Sequence, residues 1–357
     1  MKILAIETSC DETGIAIVEG VKTPDGYTFT LLGAAALNSQ AALHAEYGGV
    51  YPNLAKREHE KNLPILLKQA LKQAGTPDID AIAVTQGPGL EPALWTGIEF
   101  AKKLATEKGL PLLPTNHMEG HLISSLVQDG KLEKVTLPVL ALLISGGHTE
   151  FVLMREWFEY NVIGQTLDDA VGEAFDKVAR MLALPYPGGP HISKLATLAR
   201  TQDIRSNIKL PRPMLQHPNC DLSFSGLKTA ALYSLRDAGG IQKLSAEEIA
   251  AFAREFEETV GDVLVEKTRR ALEETHAQTF VIGGGVAANT YLRERLQKFL
   301  ADEFSDIEVR LPDLSITGDN GVMIAEAALT RALAGIDDTP KGEVRAYSNR
   351  FSISAPK

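Results

Sequence analysis

Two histidines and a distant aspartate are the residues best suited to hold a metal ion. His117 and His121 lie four positions apart in a stretch, His117–Leu126, that favours a helix. Residues four apart share one helical face, so both imidazoles can reach one ion. Asp319, far downstream, is a candidate third ligand. Two imidazoles and one carboxylate leave coordination positions open, which is typical of a metal that handles a substrate.

The same residues have simpler interpretations. Histidines four apart on a helix are often unrelated core or surface residues, and Asp319 is also a good N-cap for the helix that follows it. A zinc peptidase needs a glutamate directly after the first histidine as general base. Met118 has that position here, and Glu119 projects about 100° further round the helix. The motif therefore disfavours a peptidase.

The composition is that of an ordinary protein with two domains. The chain has 357 residues, of which 44% are hydrophobic and 23% charged. It contains neither a basic start followed by a long apolar segment nor a run of about 18 apolar residues, so we expect a cytoplasmic protein without a membrane span. Cys10 and Cys220 form no disulfide framework or zinc cluster. A buried thiol is favoured over a nucleophile at Cys10.

The net charge of −10 argues against nucleic-acid binding through bulk attraction. Four local basic patches are candidates for contacts with RNA, although each is more typical of a solvated helix face or loop. These patches are Lys56 with Arg57, Lys102 with Lys103, Lys267 with Arg269 and Arg270, and Arg345 with Arg350.

A weak internal repeat predicts two similar α/β lobes. Each half begins with two short apolar strands around a polar tip, followed by a third extended segment and later by a helix. In the first half these elements are 2–8, the tip 9–12, 13–18, 27–37 and the helix 59–73. In the second half they are 139–144, the tip 145–148, 149–154, 160–166 and the helix 167–182. We expect the two tips to face each other across a cleft. The meander disfavours a dehydrogenase, whose sheet begins with a parallel crossover.

Two glycine-rich turns are candidates for binding an anion or a nucleotide. Gly146 and Gly147 allow backbone N–H groups to approach an anion, and a plain hairpin turn would explain them but not His148. The strand, glycine turn and helix around Thr279–Asn289 partly fit the dinucleotide fingerprint, but the acidic Asp313 lies too late. A base or ribose hydrogen-bonded by Asn289 fits this corner as well or better.

Three further features have a functional and a structural interpretation. Asp176 is suited to accept hydrogen bonds from a ribose or sugar hydroxyl, or it is an exposed helix charge paired with Arg180. The glycines of Tyr186–Pro190 allow a ligand to lie against the backbone, although such a turn is more often a loop. A capping box at Ser245–Glu248 begins an amphipathic helix that belongs to the core.

As a set, these motifs resemble the universal tRNA threonylcarbamoyladenosine transferase family in its bacterial form. Ten motifs occur in the family's order between residue 3 and about 326: IETSCDETG, HAEYGGVYPNLAKREH, GPGL, HMEGHL, ISGGHT, DDAVGEAFDK, YPGGP, SFSGLKT, GGGVAAN and DNG. Most are weak singly, but ten in order are specific. Two departures occur, at Glu91–Trp95 after GPGL, near a surface for partners, and at Ala288, where serine is frequent.

The resemblance implies the α/β fold of actin, Hsp70 and sugar kinases. That fold consists of two duplicated, ribonuclease-H-like lobes around a central nucleotide cleft, which agrees with the internal repeat. The first lobe is expected to comprise residues 1–117 and roughly 325–357. The second lobe is expected to comprise residues 118–324.

The resemblance also implies a site. A divalent metal ion, with iron(II) preferred over zinc, is expected on His117, His121 and Asp319. Asp11 and Glu12 are expected near the reaction centre, and His148 or Asp11 is the candidate to deprotonate the acceptor. The implied substrate-binding residues are Ile144, Ser145, Gly146, Gly147, His148, Asp176, Gly189 and Asn289.

The implied reaction moves a threonylcarbamoyl group from threonylcarbamoyl-adenylate to N6 of the adenosine 3′-adjacent to the anticodon, in tRNAs reading codons that begin with A. The implied partners are tRNA, a paralogous TsaB-type subunit and a small TsaE-type ATPase. A small-molecule kinase of the same fold is one alternative, but it leaves the histidines without a task. A non-catalytic scaffold paralogue is another, and the presence of the whole residue set disfavours it.

Overall fold

Two β-sheets form the framework of the chain. The computed structural model describes residues 1–33, 38–314, 317–340, 342–348 and 353, with the backbone alone at 38 and 39. The strands are β1 (Lys2–Glu7), β2 (Glu12–Thr23), β3 (Gly26–Gly33), β4 (Asn38–Ser39), β5 (Ala81–Gly87), β6 (Leu112–Asn116), β7 (Lys131–Glu133), β8 (Val139–Ile144), β9 (Thr149–Glu156), β10 (Glu159–Gln165), β11 (Thr279–Gly283) and β12 (Glu308–Arg310). The α-helices are α1 (Ala41–His44), α2 (Pro52–Gln73), α3 (Glu91–Lys108), α4 (His117–Leu126), α5 (Val171–Met181), α6 (Gly188–Thr201), α7 (Ser225–Asp237), α8 (Ala246–Thr275), α9 (Thr290–Glu303) and α10 (Gly321–Ala334). Single 3-10 turns occur at Ala45–Tyr47, Ile241–Lys243 and Gly285–Ala288.

The two sheets repeat one pattern of strand pairing. The first has the order β6-β5-β1-β2-β3-β7, with β4 paired to β2, and the second has the order β10-β9-β8-β11-β12. In each, the first three strands form an antiparallel meander, and two later strands add in parallel on its other side. The predicted duplication is confirmed. The fold belongs to the α/β class and has two duplicated lobes.

The predicted elements are confirmed with shifts at their ends. β8 has the predicted bounds, whereas β2 continues to Thr23 because it pairs with β3 along its outer half. Residues 34–37 of the predicted third segment lie outside the described part of the chain. α2 begins at Pro52 rather than His59, since proline is well suited to the first turn of a helix.

α4 and α10 lie between the two sheets. One apolar core joins Ala5 of the first sheet, Leu122 of α4, Ile324 of α10 and Leu143 of the second sheet. A second core packs the outer face of the first sheet against α2 and α3, and a third packs the second sheet against α5–α9. β7 joins the first sheet. The division into lobes at residues 117 and 325 stays a prediction.

α8 is the core helix that the capping box predicted. Ser245 Oγ accepts a hydrogen bond from the Glu248 backbone N–H at 3.2 Å, and Glu248 Oε2 accepts one from the Ser245 N–H at 2.8 Å. Phe252 and Phe256 on its apolar face are buried. Among the helices described, none combines the length and apolar character needed to cross a membrane.

β2 and α10 approach each other through two glycines. A Cβ atom at Gly14 would lie 2.8 Å from the backbone nitrogen of Gly321, and one at Gly321 would lie 2.7 Å from the backbone nitrogen of Ala16. Backbone atoms cannot yield as the end of a flexible side chain can, so a methyl group here pushes the helix away from the strand. The position of the start of α10 therefore depends on both glycines.

Gly14→Ala is expected to destabilise the protein by about 1–3 kcal/mol, because the added methyl group overpacks this contact. Gly226→Ala in α7 is the matched control, since a Cβ there meets nothing within 4 Å. Thermal unfolding followed by circular dichroism compares both variants with the wild type. Equal melting temperatures for Gly14→Ala and the wild type would contradict this account of the contact.

Candidate functional site

α4 and the residues before α10 bring the predicted metal ligands together. His121 Nε2 lies 3.0 Å from Asp319 Oδ1, and His117 Nε2 lies 3.5 Å from the same oxygen. The two imidazole rings are edge-on, with centroids 4.7 Å apart. One donor atom from each residue lies within 4.8 Å of the others, and both histidines are buried. This donor set has the composition of a site for one divalent ion.

Asn320, and not Asp319, caps α10. Asn320 Oδ1 accepts hydrogen bonds from the backbone N–H of Val322 at 2.8 Å and of Met323 at 3.0 Å. Asn116 caps α4 in the same way. The alternative role of Asp319 as N-cap is therefore wrong, and its carboxylate faces the two histidines instead.

A buried carboxylate that the sequence analysis overlooked orients His117. Glu7, at the end of β1, is fully buried, and its Oε2 accepts hydrogen bonds from His117 Nδ1 at 3.2 Å and from Thr85 Oγ1 at 2.6 Å. With His117 Nδ1 directed at Glu7, the Nε2 atom of the same ring is turned toward Asp319. One sequence signal was available: an acidic residue in an otherwise apolar strand is rarely buried without a partner.

Carboxylates dominate the electrostatics of this cluster. Burial disfavours the charged form of His117, but the nearby Asp319 and Glu7 outweigh burial and raise the pKa of His117 to about 9. Burial, followed by the charges of Asp11 and Asp319, raises the pKa of Glu12 well above its usual value. The cluster therefore has a negative potential that a bound cation would offset.

The first hairpin tip lies beside the cluster, because Gly14, two residues after Glu12, packs against the backbone of Asn320 and Gly321. Cys10 follows β1 and Glu12 begins β2. The negative charge of Asp319 contributes to the raised pKa values of both side chains. Burial and the adjacent carboxylates raise the pKa of the Cys10 thiol. Because the thiolate is the nucleophilic form, this environment argues against Cys10 as a nucleophile.

The second tip approaches the cluster from the other lobe. The His148 ring lies 6.1 Å from the His117 ring, centroid to centroid. The Ser145 N–H donates to the His148 carbonyl at 2.8 Å and closes the turn, so this amide is engaged within the protein. Gly146 and Gly147 are exposed, and a Cβ at either would meet nothing within 4 Å. Of the amides of Ser145, Gly146 and Gly147, the two glycine amides therefore remain candidates for binding an anion.

Asp176 and Gly189 meet where α5 faces the start of α6. Asp176 Oδ1 accepts a hydrogen bond from the Gly188 N–H at 2.7 Å. Burial raises the pKa of Asp176, and the amides of Gly188 and Gly189 oppose that shift. Asp176 is thus partly buried and hydrogen-bonded to the glycine turn, rather than an exposed helix charge. Its contact with a sugar hydroxyl stays a prediction.

Asn289 belongs to a hydrogen-bond network at the corner before α9. Its Oδ1 accepts from the Leu292 N–H at 3.0 Å, and its Nδ2 donates to Ser193 Oγ and Glu257 Oε1, both at 2.8 Å. Glu257 is fully buried and also accepts from Arg200 at 2.7 Å. Glu257 was not predicted from the sequence because its partners come from distant elements. The predicted contact of Asn289 with a nucleotide stays a prediction.

Glu119 faces away from the histidine pair. Its Oε1 accepts hydrogen bonds from Tyr160 Oη at 2.7 Å and from Arg331 at 3.1 Å. The general base of a peptidase would have to point toward the histidines, and Glu119 does not.

The predicted basic patches are mostly engaged within the protein. Ion pairs join Lys56 to Glu60, Lys102 to Glu99 and Glu343, Lys103 to Glu107, Arg269 to Glu266 and Glu303, Arg270 to Glu266, and Arg345 to Glu343. The prediction of a solvated Lys267 is wrong, because this side chain is fully buried and donates to the carbonyls of His217 and Asn219. Arg350 lies outside the described residues.

Two solved structures share the fold of this chain. The full-length HypF structure in its phosphate- and nucleotide-bound form matches with a TM-score of 0.56 and 14% identity over 97% of this chain and 47% of its own. The HypF structure from T. kodakarensis matches with a TM-score of 0.55 and 14% identity, over 94% and 48%. The chain therefore spans about half of each, and the likeness concerns the fold alone.

Sequence comparisons identify the family within this class. The model of the family described as TsaD, tRNA N6-adenosine threonylcarbamoyltransferase, matches residues 32–326. A curated tRNA N6-adenosine threonylcarbamoyltransferase from Aromatoleum aromaticum (strain DSM 19018 / LMG 30748 / EbN1) is 45% identical over 337 residues, which cover 94% of this chain and 92% of that protein. The chain belongs to the tRNA N6-adenosine threonylcarbamoyltransferase family.

Proposed function

We propose that this chain transfers a threonylcarbamoyl group from threonylcarbamoyl-adenylate to N6 of the adenosine 3′-adjacent to the anticodon, in tRNAs that read codons beginning with A. Family membership supports a transferase that acts on tRNA. The observation that carries the proposal is that both hairpins lie beside the cluster of His117, His121 and Asp319. Candidate groups from both lobes thereby lie near one another.

The proposal includes one divalent metal ion, iron(II) or zinc, held by His117, His121 and Asp319. The donor set suits either ion, and the negative potential of the cluster favours a cation. Glu7 supplies the partner that an imidazole ligand usually has on its second nitrogen. When bound, such an ion supplies a Lewis acid for the carboxylate, carbonyl or phosphate oxygens of the donor.

The remaining residues are proposed to orient the donor, to offset its negative charge and to accept the proton from N6. An exocyclic amine is a poor nucleophile, so the activated carbonyl has to be held in line with it. The amides of Gly146 and Gly147, which lie in open space, are proposed to offset charge on a phosphate or oxyanion. Asp176, with Gly189 and Asn289, is proposed to bind the adenylate half of the donor. His148 or Asp11 is proposed to accept the proton from N6, because both lie in the tips that face the cluster.

The proposed working form is a cytoplasmic assembly with a paralogous TsaB-type subunit and a small TsaE-type ATPase. A chain with a net charge of −10, whose basic residues are largely paired, is poorly suited to capture tRNA alone. Rapid modification of tRNA by the isolated chain would refute this dependence.

His117→Ala is expected to reduce transfer by about 100-fold or more, because a Lewis acid contributes several kcal/mol to such a reaction. The assay combines the chain, both partners, the upstream adenylate-forming enzyme, threonine, bicarbonate, ATP and unmodified tRNA. Nucleosides from the tRNA are then analysed by mass spectrometry. The control is His217→Ala, an exposed histidine away from the cluster, which is expected to leave the yield of threonylcarbamoyladenosine unchanged.

Two outcomes of that assay would overturn the proposal in different ways. An unchanged yield from His117→Ala removes the metal site from the reaction. No product from the wild type, with an intact donor and active partners, removes the transfer itself and favours the kinase or scaffold alternative. Phosphorylation of a small substrate by ATP without tRNA then identifies the kinase.

Glu7→Gln is expected to weaken metal binding about 10- to 100-fold, because it removes the anionic acceptor that orients His117. Titration of zinc(II), and of iron(II) without oxygen, against a chromophoric chelator measures the affinity directly. Glu326→Gln is the matched control, since Glu326 is also a buried carboxylate but lies outside the cluster. Equal losses in the two variants would assign Glu7 a general role in stability rather than a role in orienting the ligand.

A further inference from the structure

A cavity between the lobes opens beside the candidate site. Its volume is about 380 Å³, within the range of small-molecule sites, and it has one wall from each lobe. The first lobe contributes Tyr47 and Gly48, and the second contributes Asp176, Arg180 and Tyr186. Asp176 is one of the predicted substrate-binding residues, so the cavity adjoins the proposed donor site.

Two exposed aromatic rings stack beside this cavity, and one of them, Tyr47, lines it. Tyr47 and Tyr51 stack with their centroids 5.3 Å apart and an angle of 25° between the rings. Tyr47 is 58% exposed and Tyr51 is 48% exposed. Apolar rings of this size are usually buried or in contact with a partner, because their faces gain from stacking. The pair therefore presents an extended aromatic surface to a ligand.

A buried network attaches these rings to the first hairpin tip. The Tyr51 N–H donates to His44 Nδ1 at 3.3 Å, and His44 Nε2 donates to Gln40 Oε1 at 3.1 Å. The Gln40 N–H in turn donates to the Asp11 carbonyl at 3.1 Å. His44 is fully buried, and burial lowers its pKa, which keeps the ring neutral and able to make both bonds. The aromatic surface is thus held in place relative to the reaction centre.

Arg180 adds a cation behind the same rim. A Cβ at Gly48 would lie 2.8 Å from the Arg180 guanidinium, and the φ of Gly48 is +65°, which also favours glycine. The guanidinium therefore packs directly against the backbone that carries Tyr47. Arginine planes and aromatic faces are the groups on which proteins stack the unpaired bases of RNA loops.

We propose that Tyr47, Tyr51 and Arg180 form the surface on which the unpaired base of the target adenosine in the tRNA anticodon loop stacks as it enters the cleft. This inference rests on the proposed function, because it takes tRNA as the substrate. The net charge of −10 favours this mode, since stacking provides affinity where bulk electrostatic attraction does not. The single arginine beside the rings can bind one phosphate or stack on one base.

The test uses an anticodon stem-loop RNA with 2-aminopurine at the target adenosine. The full chain, assembled with its proposed partner subunits, is titrated into this RNA without any threonylcarbamoyl donor. Tyr47→Ala and Tyr51→Ala are each expected to raise the Kd about tenfold and to reduce the quenching of 2-aminopurine. Tyr47→Phe, which keeps the ring, is expected to restore most of both signals.

Tyr233→Ala is the matched control, because Tyr233 on α7 is 51% exposed and does not line the cavity. Its Kd is expected to equal that of the wild type. Wild-type binding no tighter than that of Tyr47→Ala overturns the inference. Loss of partner subunits from Tyr47→Ala, with unchanged RNA affinity of the complexes that form, also overturns it and assigns the surface to a protein.

The RNA titration separates this inference from the proposed function. Normal transfer by Tyr47→Ala with unchanged RNA affinity rejects the stacking surface and leaves the transferase intact. Ring-dependent quenching by a wild-type assembly that yields no threonylcarbamoyladenosine supports the surface and rejects the reaction.

Discussion

The packing of α4 against α10 is the constraint on which the site depends. A Cβ at Gly120 would lie 3.1 Å from the Ile324 side chain, so the glycine allows the two helices a close approach between the sheets. That approach places the start of α4 beside the start of α10 and joins His121 to Asp319 across 198 positions of sequence. The first sheet flanks this helix pair on one side and the second sheet on the other. Each sheet then extends one hairpin tip toward the same point.

The negative charge of the site links the two proposals, the bound cation and the stacking surface. Glu7 and Asp319 contact the pair of buried histidines, and burial together with the charges of Asp11 and Asp319 raises the pKa of Glu12. An anionic donor and an RNA backbone would both be repelled by such a cluster. The divalent ion proposed on the histidines and Asp319 would offset that repulsion for the donor. The stacking proposed at the rim would offer the RNA an attraction that does not depend on net charge.

Local sequence patterns predicted the elements better than the site. Apolar alternation around polar tips located the hairpins, and the capping box located α8, because these signals involve residues close in the chain. The choice between Asp319 and Asn320 as the cap of α10 could not be made locally, since both are good caps and only packing against α4 decides which one faces the histidines. The role of Glu7 was not predicted because it arises from contacts with His117 and Thr85, which lie in distant segments. Lys267 was misjudged because its partners are backbone carbonyls, which no sequence pattern marks.

X-ray absorption spectroscopy of the protein reconstituted with zinc(II) and with iron(II) is the most direct test of the central claim, that α4 and α10 build one metal site. We expect an inner shell that contains two imidazole nitrogens and a carboxylate oxygen, at about 2.0–2.2 Å for zinc. Asp319→Ala is expected to remove the carboxylate, and His121→Ala to remove one imidazole. A spectrum without imidazole scattering, or one that neither variant changes, would contradict the account.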